Sequence, residues 1–545
     1  MKKHIEPRRF LLEFDSHELP HRFVDVLVIG SGVAGLSAAL AAARHGEVVL
    51  VSKAELRESN TDYAQGGVAV VLGPPDSVEA HAADTLAVGQ GLCAPEVVEL
   101  VVREGPERVR ELIAAGAQFD SDAGRLNLTR EGGHSQARII HARGDATGAE
   151  IERTLLREVL ASPRIHCMEH TYAVDLLTDN GECLGALLSN QTQGLTLAWA
   201  KQTILASGGI GQVYRETTNP EVATGDGIAL AYRAGAVLQD MEFVQFHPTT
   251  LYIAGASRWL ISETVRGEGG MLLNRHGQRF MARYDPAAEL APRDVVSRAI
   301  LAEMRATGAT HVYLDLRHLD PNRVRERFPS IARVCSQFGL DLAEDLIPVR
   351  PSAHYMIGGV RTDLAAGTSI ARLHACGECA CSGLHGANRL GSNSLLEGLV
   401  FGFHAGETAG RAAAAHAEDA KPTPIRSRFA ALRKDELDLR DISNALKSLM
   451  WRNVGIERDE AALGEAEESI DFWCGYVLAH IFAFRGGWEL QNMLTAAKII
   501  TVAARRRQES RGVHFRSDFP DTDDEHWKTH ITFQRPETAE TEGET

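Results

Sequence analysis

Cysteine is sparse: eight residues scattered over 545 make no secreted disulfide framework, which points to a reducing, cytoplasmic setting. Basic residues are also short, with 57 Lys plus Arg against 73 Asp plus Glu. The net charge of −16 argues against general affinity for nucleic acid or an anionic membrane, so an anionic ligand requires a local positive pocket. The opening MKKHIEPRRFLLEF has neither a sustained apolar region nor a small-residue cleavage site, and residues 1–22 read as an N-terminal extension rather than a signal peptide. VLVIGSGVAGLSAALAAA, residues 26–43, runs eighteen residues without a charge and resembles a spanning helix, but its glycines and change of periodicity predict a buried strand followed by a buried helix. No membrane span and no internal repeat are predicted.

With 44% hydrophobic residues the chain can bury a large core in two to four domains. Residues 23–240 alternate short β-rich runs with Ala-rich helical runs, the pattern of an α/β nucleotide-binding domain. Asn180-Gly181 supplies a hairpin turn within an inserted β-meander. Residues 241–355 change character and are assigned to a separate capping domain. The β-rich, Gly-rich pattern returns over 356–420, so the first domain is discontinuous. Pro422 and Pro424 mark a linker into a helical region, 426–530, where Ile442, Leu446, Leu449 and Met450, then Leu490, Met493, Leu494 and Ala497, recur at helical spacing as core stripes. Residues 531–545 read as a disordered acidic tail.

VDVLVIGSGVAG sets a strand before Gly30, Gly32 and Gly35, with a helix after them. These glycines suit a tight turn, backbone approach to a pyrophosphate and close helix packing, with the helix N-terminus facing the anion. The second strand, EVVLVSK, ends in Ser52 and Lys53 rather than in the acidic residue that would hold a nicotinamide-type ribose. Lys53 is either a solvated strand-end charge or a contact to ribose or phosphate. CGECACSG could suggest a metal knuckle at Cys376, Cys379 and Cys381, but no second ligand cluster accompanies it, and no metal is predicted.

The stretches SNTDYAQGG, FVQFHPT, LISETVRGEGG, APRDVVSRAI, AHYMIGGV, ACGE, GANRLGSNSLLEG and RQESRGVHFRSDFP, in this order from about residue 24 to 520, resemble the flavoprotein family of succinate dehydrogenase, fumarate reductase and L-aspartate oxidase. The resemblance implies a Rossmann-like, discontinuous FAD-binding domain, an α+β capping domain and a C-terminal helical domain. It assigns FAD contacts to Ser31, Gly32, Val33, Ala34, Lys53, Asn60, Thr61, Asp62, Tyr63, Ala64, Gln65, Gly66, Gly67, Ala173, Asp226, Glu378, Ser394 and Leu395. Gly66 and Gly67 would allow close backbone approach to the flavin. SNSLL reads as a helix start whose free N–H groups can meet the flavin carbonyl edge.

His247, Ser262, His354 and Arg389 match the family's dicarboxylate contacts, and Arg389 can grip a carboxylate with two parallel hydrogen bonds. Arg293, placed by Pro292 in a first helical turn, matches the proton-transfer position; arginine is a poor base, so that role needs a network to move the proton on. Where the covalent dehydrogenases carry a flavin-linked histidine this chain has Asn60, which implies noncovalent FAD. Glu131 and His134, in TREGGHSQARIIHARGDATG, resemble the aspartate-oxidising branch, with Glu131 near the substrate ammonium. The implied reaction is oxidation of L-aspartate to iminosuccinate with O₂ or fumarate as acceptor, the imine feeding quinolinate synthase and so NAD biosynthesis. The rival within the family is a soluble fumarate reductase or succinate-oxidising flavoprotein. Rivals outside that choice are a catalytically idle FAD-binding protein and an NAD-dependent dehydrogenase.

Overall fold

The computed structural model describes residues 6–255, 258–416, 420–429 and 437–536. The apolar run that opens the nucleotide motif becomes strand β1, His21–Ile29, and helix α1, Val33–Ala42, followed by β2, Val48–Val51, helix α2, Val78–Val88, and β3, Ile165–Met168. The meander follows as β4, Thr171–Asp179, β5, Glu182–Asn190, and β6, Gly194–Leu205. Asn180 and Gly181 turn the β4–β5 hairpin, both with positive φ. These strands form one sheet in the order β4-β5-β6-β1-β2-β3, parallel from β6 to β3 and antiparallel across the meander.

Beyond helix α3, Asp226–Ala234, the chain enters a second sheet through β7, Val244–Leu251, and β8, Met271–Leu273. Helix α4, Arg293–Thr307, is followed by β9, Val312–Asp315, and β10, Ile347–Met356, giving the antiparallel order β7-β10-β9-β8 with its own apolar core. Strand β11, Leu373–Ala375, then returns to the first sheet and pairs in parallel with the end of β6, where β5 has already stopped. Helix α5, Asn393–Ala415, follows, and after it come three long helices, α6, Leu439–Asn453, α7, Glu460–Val477, and α8, Arg485–Arg506.

Side-chain alternation divides the first sheet between two cores. Leu27, Ile29, Val49 and Val51 face one cluster, and Val26, Val28, Val48 and Leu50 face the other. The charge-free α1 is buried almost throughout because α5 lies directly on it. Gly398, Gly402, Gly406 and Gly410 recur every four residues along α5, and a Cβ at any of them would run into Val33, Ala34, Ala38 or the segment from Ala42 to His45. The run that mimics a spanning segment is therefore interior packing, and among the described residues no helix is long and apolar enough to cross a membrane.

Both helical stripes are core, but they share one cluster with β4, β5, β6 and α3 rather than forming a core of their own. The N-terminal extension also joins it: Leu11, Leu12 and Phe14 are buried, and Phe14–Asp15 pairs with Arg426–Ser427. The tail departs from expectation at its start. Ile531 is buried and Thr532–Phe533 pairs with Leu238–Gln239, because that strand edge would otherwise leave backbone groups unpaired. Residues 537–545 of the tail lie outside the described residues.

Candidate active site

One long cavity runs from the end of β1 to the second sheet. At its first end Gly30 turns with φ +114, a left-handed conformation, and a Cβ there would strike the backbone of Ala206. The polar loop 59–67 closes over this turn: Thr61 Oγ1 accepts from Val33 N–H at 3.0 Å, tying the loop to the first turn of α1. Ser31, Gly32, Val33 and Ala34 line the cavity, whereas Gly35 packs behind them against Gly30.

Lys53 is not a solvated charge. Its ammonium donates to Thr224 Oγ1 at 2.7 Å, Asp226 Oδ2 at 2.6 Å and Glu489 Oε1 at 2.7 Å. Burial opposes ionisation of Asp226, but Lys53, with hydrogen bonds from Asn492 and Tyr172, holds the carboxyl below its ordinary pKa. Tyr172 and Asn492 donate to the other Asp226 oxygen, each at 2.8 Å. Glu489 and Asn492 belong to α8, so the C-terminal helices build part of this wall.

In the middle, Asn60 Nδ2 donates to Glu378 Oε2 at 2.7 Å, and Met356 N–H donates to Glu378 Oε1 at 3.0 Å. Burial pushes the Glu378 carboxyl up to about 7. Helix α5 begins here, after Ser392, and Ser394 and Leu395 present its first turn to the cavity. Asn60, Thr61, Tyr63, Ala64, Gln65, Gly66, Gly67 and Ala173 line the same wall, while Asp62 turns away toward Arg57. Packing also requires Gly67, since a Cβ there would strike Ile139 and Ile140.

At the far end lie His247, Ser262, Arg293, His354 and Arg389. The two imidazoles stand 5.1 Å apart, and Thr249 N–H donates to His247 Nδ1 at 3.3 Å, which leaves Nε2 as the donor. Burial first, and then the neighbouring arginines, push both histidines well below their ordinary pKa, so they act as neutral groups. Burial and Arg293 lower Arg389 to about 10, which leaves it charged near neutral pH. Arg389 donates to Ser394 Oγ at 2.7 Å and lies over the Tyr355 ring. Arg293 is the first residue of α4, and its Nε donates to Glu263 Oε2 at 2.6 Å. Arg293 and Arg266 outweigh burial and keep Glu263 ionised.

Three contributors escaped the sequence reading. Gln245 Oε1 accepts from both Arg293 Nη1 at 3.2 Å and Arg389 Nε at 3.1 Å, holding two like charges in one site. Its position two residues before His247 on a strand was the available signal. Glu263 pairs with Arg293, and Thr218 contacts His354 Nδ1 at 2.8 Å. Glu131 is buried but stands behind the wall, accepting from Ser392 Oγ at 2.7 Å and Thr264 Oγ1 at 3.0 Å. It is therefore neither a solvated loop carboxylate nor part of the cavity lining.

The cavity suits an elongated dinucleotide: a helix N-terminus opens onto each of two stations, and the buried Asn60 Oδ1 and Gln65 Oε1 on its wall have no protein partner. The family model described as FAD binding domain matches residues 25–395, and that for the fumarate reductase flavoprotein C-terminus matches 484–544. An Escherichia coli quinol fumarate reductase structure superposes with a TM-score of 0.88 at 33% identity, covering 94% of each chain. The chain thus belongs to the FAD-binding flavoproteins of the succinate dehydrogenase and fumarate reductase family. L-aspartate oxidase of Streptomyces coelicolor is 44% identical over 93% of this chain and 90% of its own, and the chloroplastic enzyme 2-b of Nicotiana tabacum is 45% identical over 92% and 82%. Within the family, this chain is an L-aspartate oxidase family member.

Proposed function

We propose that the protein oxidises L-aspartate to iminosuccinate, with O₂, giving hydrogen peroxide, or fumarate as the final electron acceptor. Bound in this cavity, FAD would supply the acceptor for the hydride that leaves Cα. The observation that carries the reading is the convergence of Arg389, His247, His354 and Ser262 beside the Arg293–Glu263 pair. Arg389 suits bidentate capture of one carboxylate, and neutral imidazole and hydroxyl donors suit the other. A cation and neutral donors fit a dicarboxylate better than two further cations would, because they orient it without adding repulsion to Arg293. As the hydride leaves Cα, the balancing proton leaves the substrate nitrogen; Arg293 stands at the site to pass it on, and Glu263 supplies the carboxylate acceptor that an arginine alone lacks. Glu131 supports preference for an ammonium-bearing substrate from behind Ser392, through its charge rather than by contact.

FAD is held without a covalent bond, because Asn60 offers no nucleophilic ring nitrogen and its amide is engaged by Glu378. The imine would be consumed by quinolinate synthase in NAD biosynthesis, and the free thiols suit a cytoplasmic setting. The test is direct. Purified holoenzyme forms peroxide with L-aspartate, its flavin is not reduced by succinate, and the yellow colour stays in solution after acid precipitation. Flavin reduction by succinate without turnover of L-aspartate would instead assign a soluble succinate-oxidising or fumarate-reducing enzyme.

A further inference from the structure

His134 lies in the same loop as Glu131 but lines no part of the cavity, and its partners are all protein groups. Its Nδ1 is 3.1 Å from Arg138 Nη1, and its Nε2 is 3.0 Å from the carbonyl oxygen of Gly391. An arginine only donates, so Nδ1 is the acceptor and Nε2 carries the proton that bonds Gly391. Arg138 is itself immobilised. It is fully buried, forked onto Asp76 by two 2.8 Å bonds and paired with Asp84 on α2.

What this chain of contacts holds is a strained turn. Ser392 has φ +65, a left-handed conformation that is strained for a residue with a side chain and persists only where neighbours impose it. Four contacts impose it: His134 on Gly391 O, Glu131 on Ser392 Oγ, Ala69 N–H on Ser392 O at 3.0 Å, and His81 on Asn393 Oδ1 at 2.8 Å. Two of the four, from Glu131 and His134, come from one loop, three residues apart. The turn joins Arg389 to the first turn of α5, where Ser394 and Leu395 face the cavity. A shift of the 391–392 peptide therefore moves the substrate-gripping guanidinium against the helix start to which it is bonded.

We infer that His134 is a positioning residue, which, with Arg138 setting its tautomer, fixes the Gly391–Ser392 turn so that Arg389 and the start of α5 share one geometry for binding the dicarboxylate. This inference rests on the proposed reading of the cavity as a dicarboxylate site.

The experiment compares His134→Leu, which removes the donor, with His134→Gln, whose amide can reach Gly391 O. Binding of succinate as a non-turnover dicarboxylate is read from perturbation of the flavin spectrum, alongside KM and kcat for L-aspartate, flavin content and thermal unfolding. His134→Leu is expected to keep its flavin yet bind succinate about tenfold more weakly and raise KM about tenfold, with His134→Gln recovering most of both losses. Should His134→Leu fail to fold, His134→Asn, polar but too short to reach the carbonyl, takes its place. Unchanged succinate binding in the donor-free variant, or losses that merely follow flavin content and stability equally in both variants, would overturn the inference. If the unaltered enzyme bound succinate but did not oxidise L-aspartate, the function proposed above would fail, while the role of His134 would still be read from binding.

Discussion

Gly391 sits where the charges of the site meet, and replacing it with alanine tests the geometry with a single methyl group. The added Cβ would lie 2.9 Å from Arg293 Nη2, 3.3 Å from Glu131 Oε2 and 3.4 Å from Glu263 Oε2. Ordinary van der Waals contact begins near 3.4 Å, so the two carboxylates stay almost where they are and Arg293 must retreat by about half an ångström or more. Gly391 is not among the residues with positive φ, so alanine brings no backbone strain. The guanidinium is the far end of a flexible side chain, so folding tolerates the change, at a cost of about 1–3 kcal/mol for overpacking. Catalysis does not: misplacing a catalytic group by about 1 Å costs on the order of 100-fold, or about 2.7 kcal/mol in the barrier. Gly391→Ala is therefore expected to keep its flavin and a cooperative thermal transition while kcat for peroxide formation from L-aspartate falls between about 10-fold and 100-fold. A folded, flavin-loaded variant with kcat within about twofold of the unaltered enzyme would show that the position of Arg293 does not limit the reaction, and the role given to it would be withdrawn.

Burial raises Glu378 from an ordinary 4.5 to about 7, so the folded apoprotein holds this proton more tightly than the unfolded chain does. The contribution is complete below pH 4.5 and is lost as pH rises through about 7, by up to about 3 kcal/mol. Urea unfolding of apoprotein from pH 4.5 to 8 should show this loss, and the difference between wild type and Glu378→Gln isolates it; identical slopes for the two would contradict the assignment. Lys53→Met leaves the buried Asp226 without its cation, while Glu489 keeps Arg485, and is expected to lower stability by about 3 kcal/mol and to weaken FAD retention. Unaltered thermal unfolding and flavin content in that variant would mean the three-way contact carries little energy.

How far local chemistry reads out is visible in particular residues. The Asn180-Gly181 hairpin, the strand before Gly30, the helix beginning at Arg293 after Pro292 and the helix starting in SNSLL all lie where the sequence pattern puts them. The buried stripes of α6 and α8 follow in the same way from helical periodicity. In each case the deciding forces act within a few residues: ring closure at proline, φ freedom at glycine, and the alternation that one buried face imposes. The motifs of the cavity were equally legible as a set of residue types in order.

Partnership between distant segments was not. Glu131 is 261 residues from Ser392 and Lys53 is 436 from Glu489, and no local rule relates such positions. A carboxylate in a polar loop can face solvent, substrate or the back of a wall with the same neighbours in the chain. Folding placed Glu131 behind Ser392, set Gln245 between two arginines, made Gly67 a packing glycine and merged the helical stripes with the core of the first sheet. Residue type and spacing therefore set which chemistry this chain can perform, because those follow from covalent geometry and near neighbours. Which carboxylate meets which guanidinium, and which buried charge escapes contact with the ligand, follows from close packing and the cost of leaving a buried polar group unpaired, and both depend on the folded arrangement as a whole.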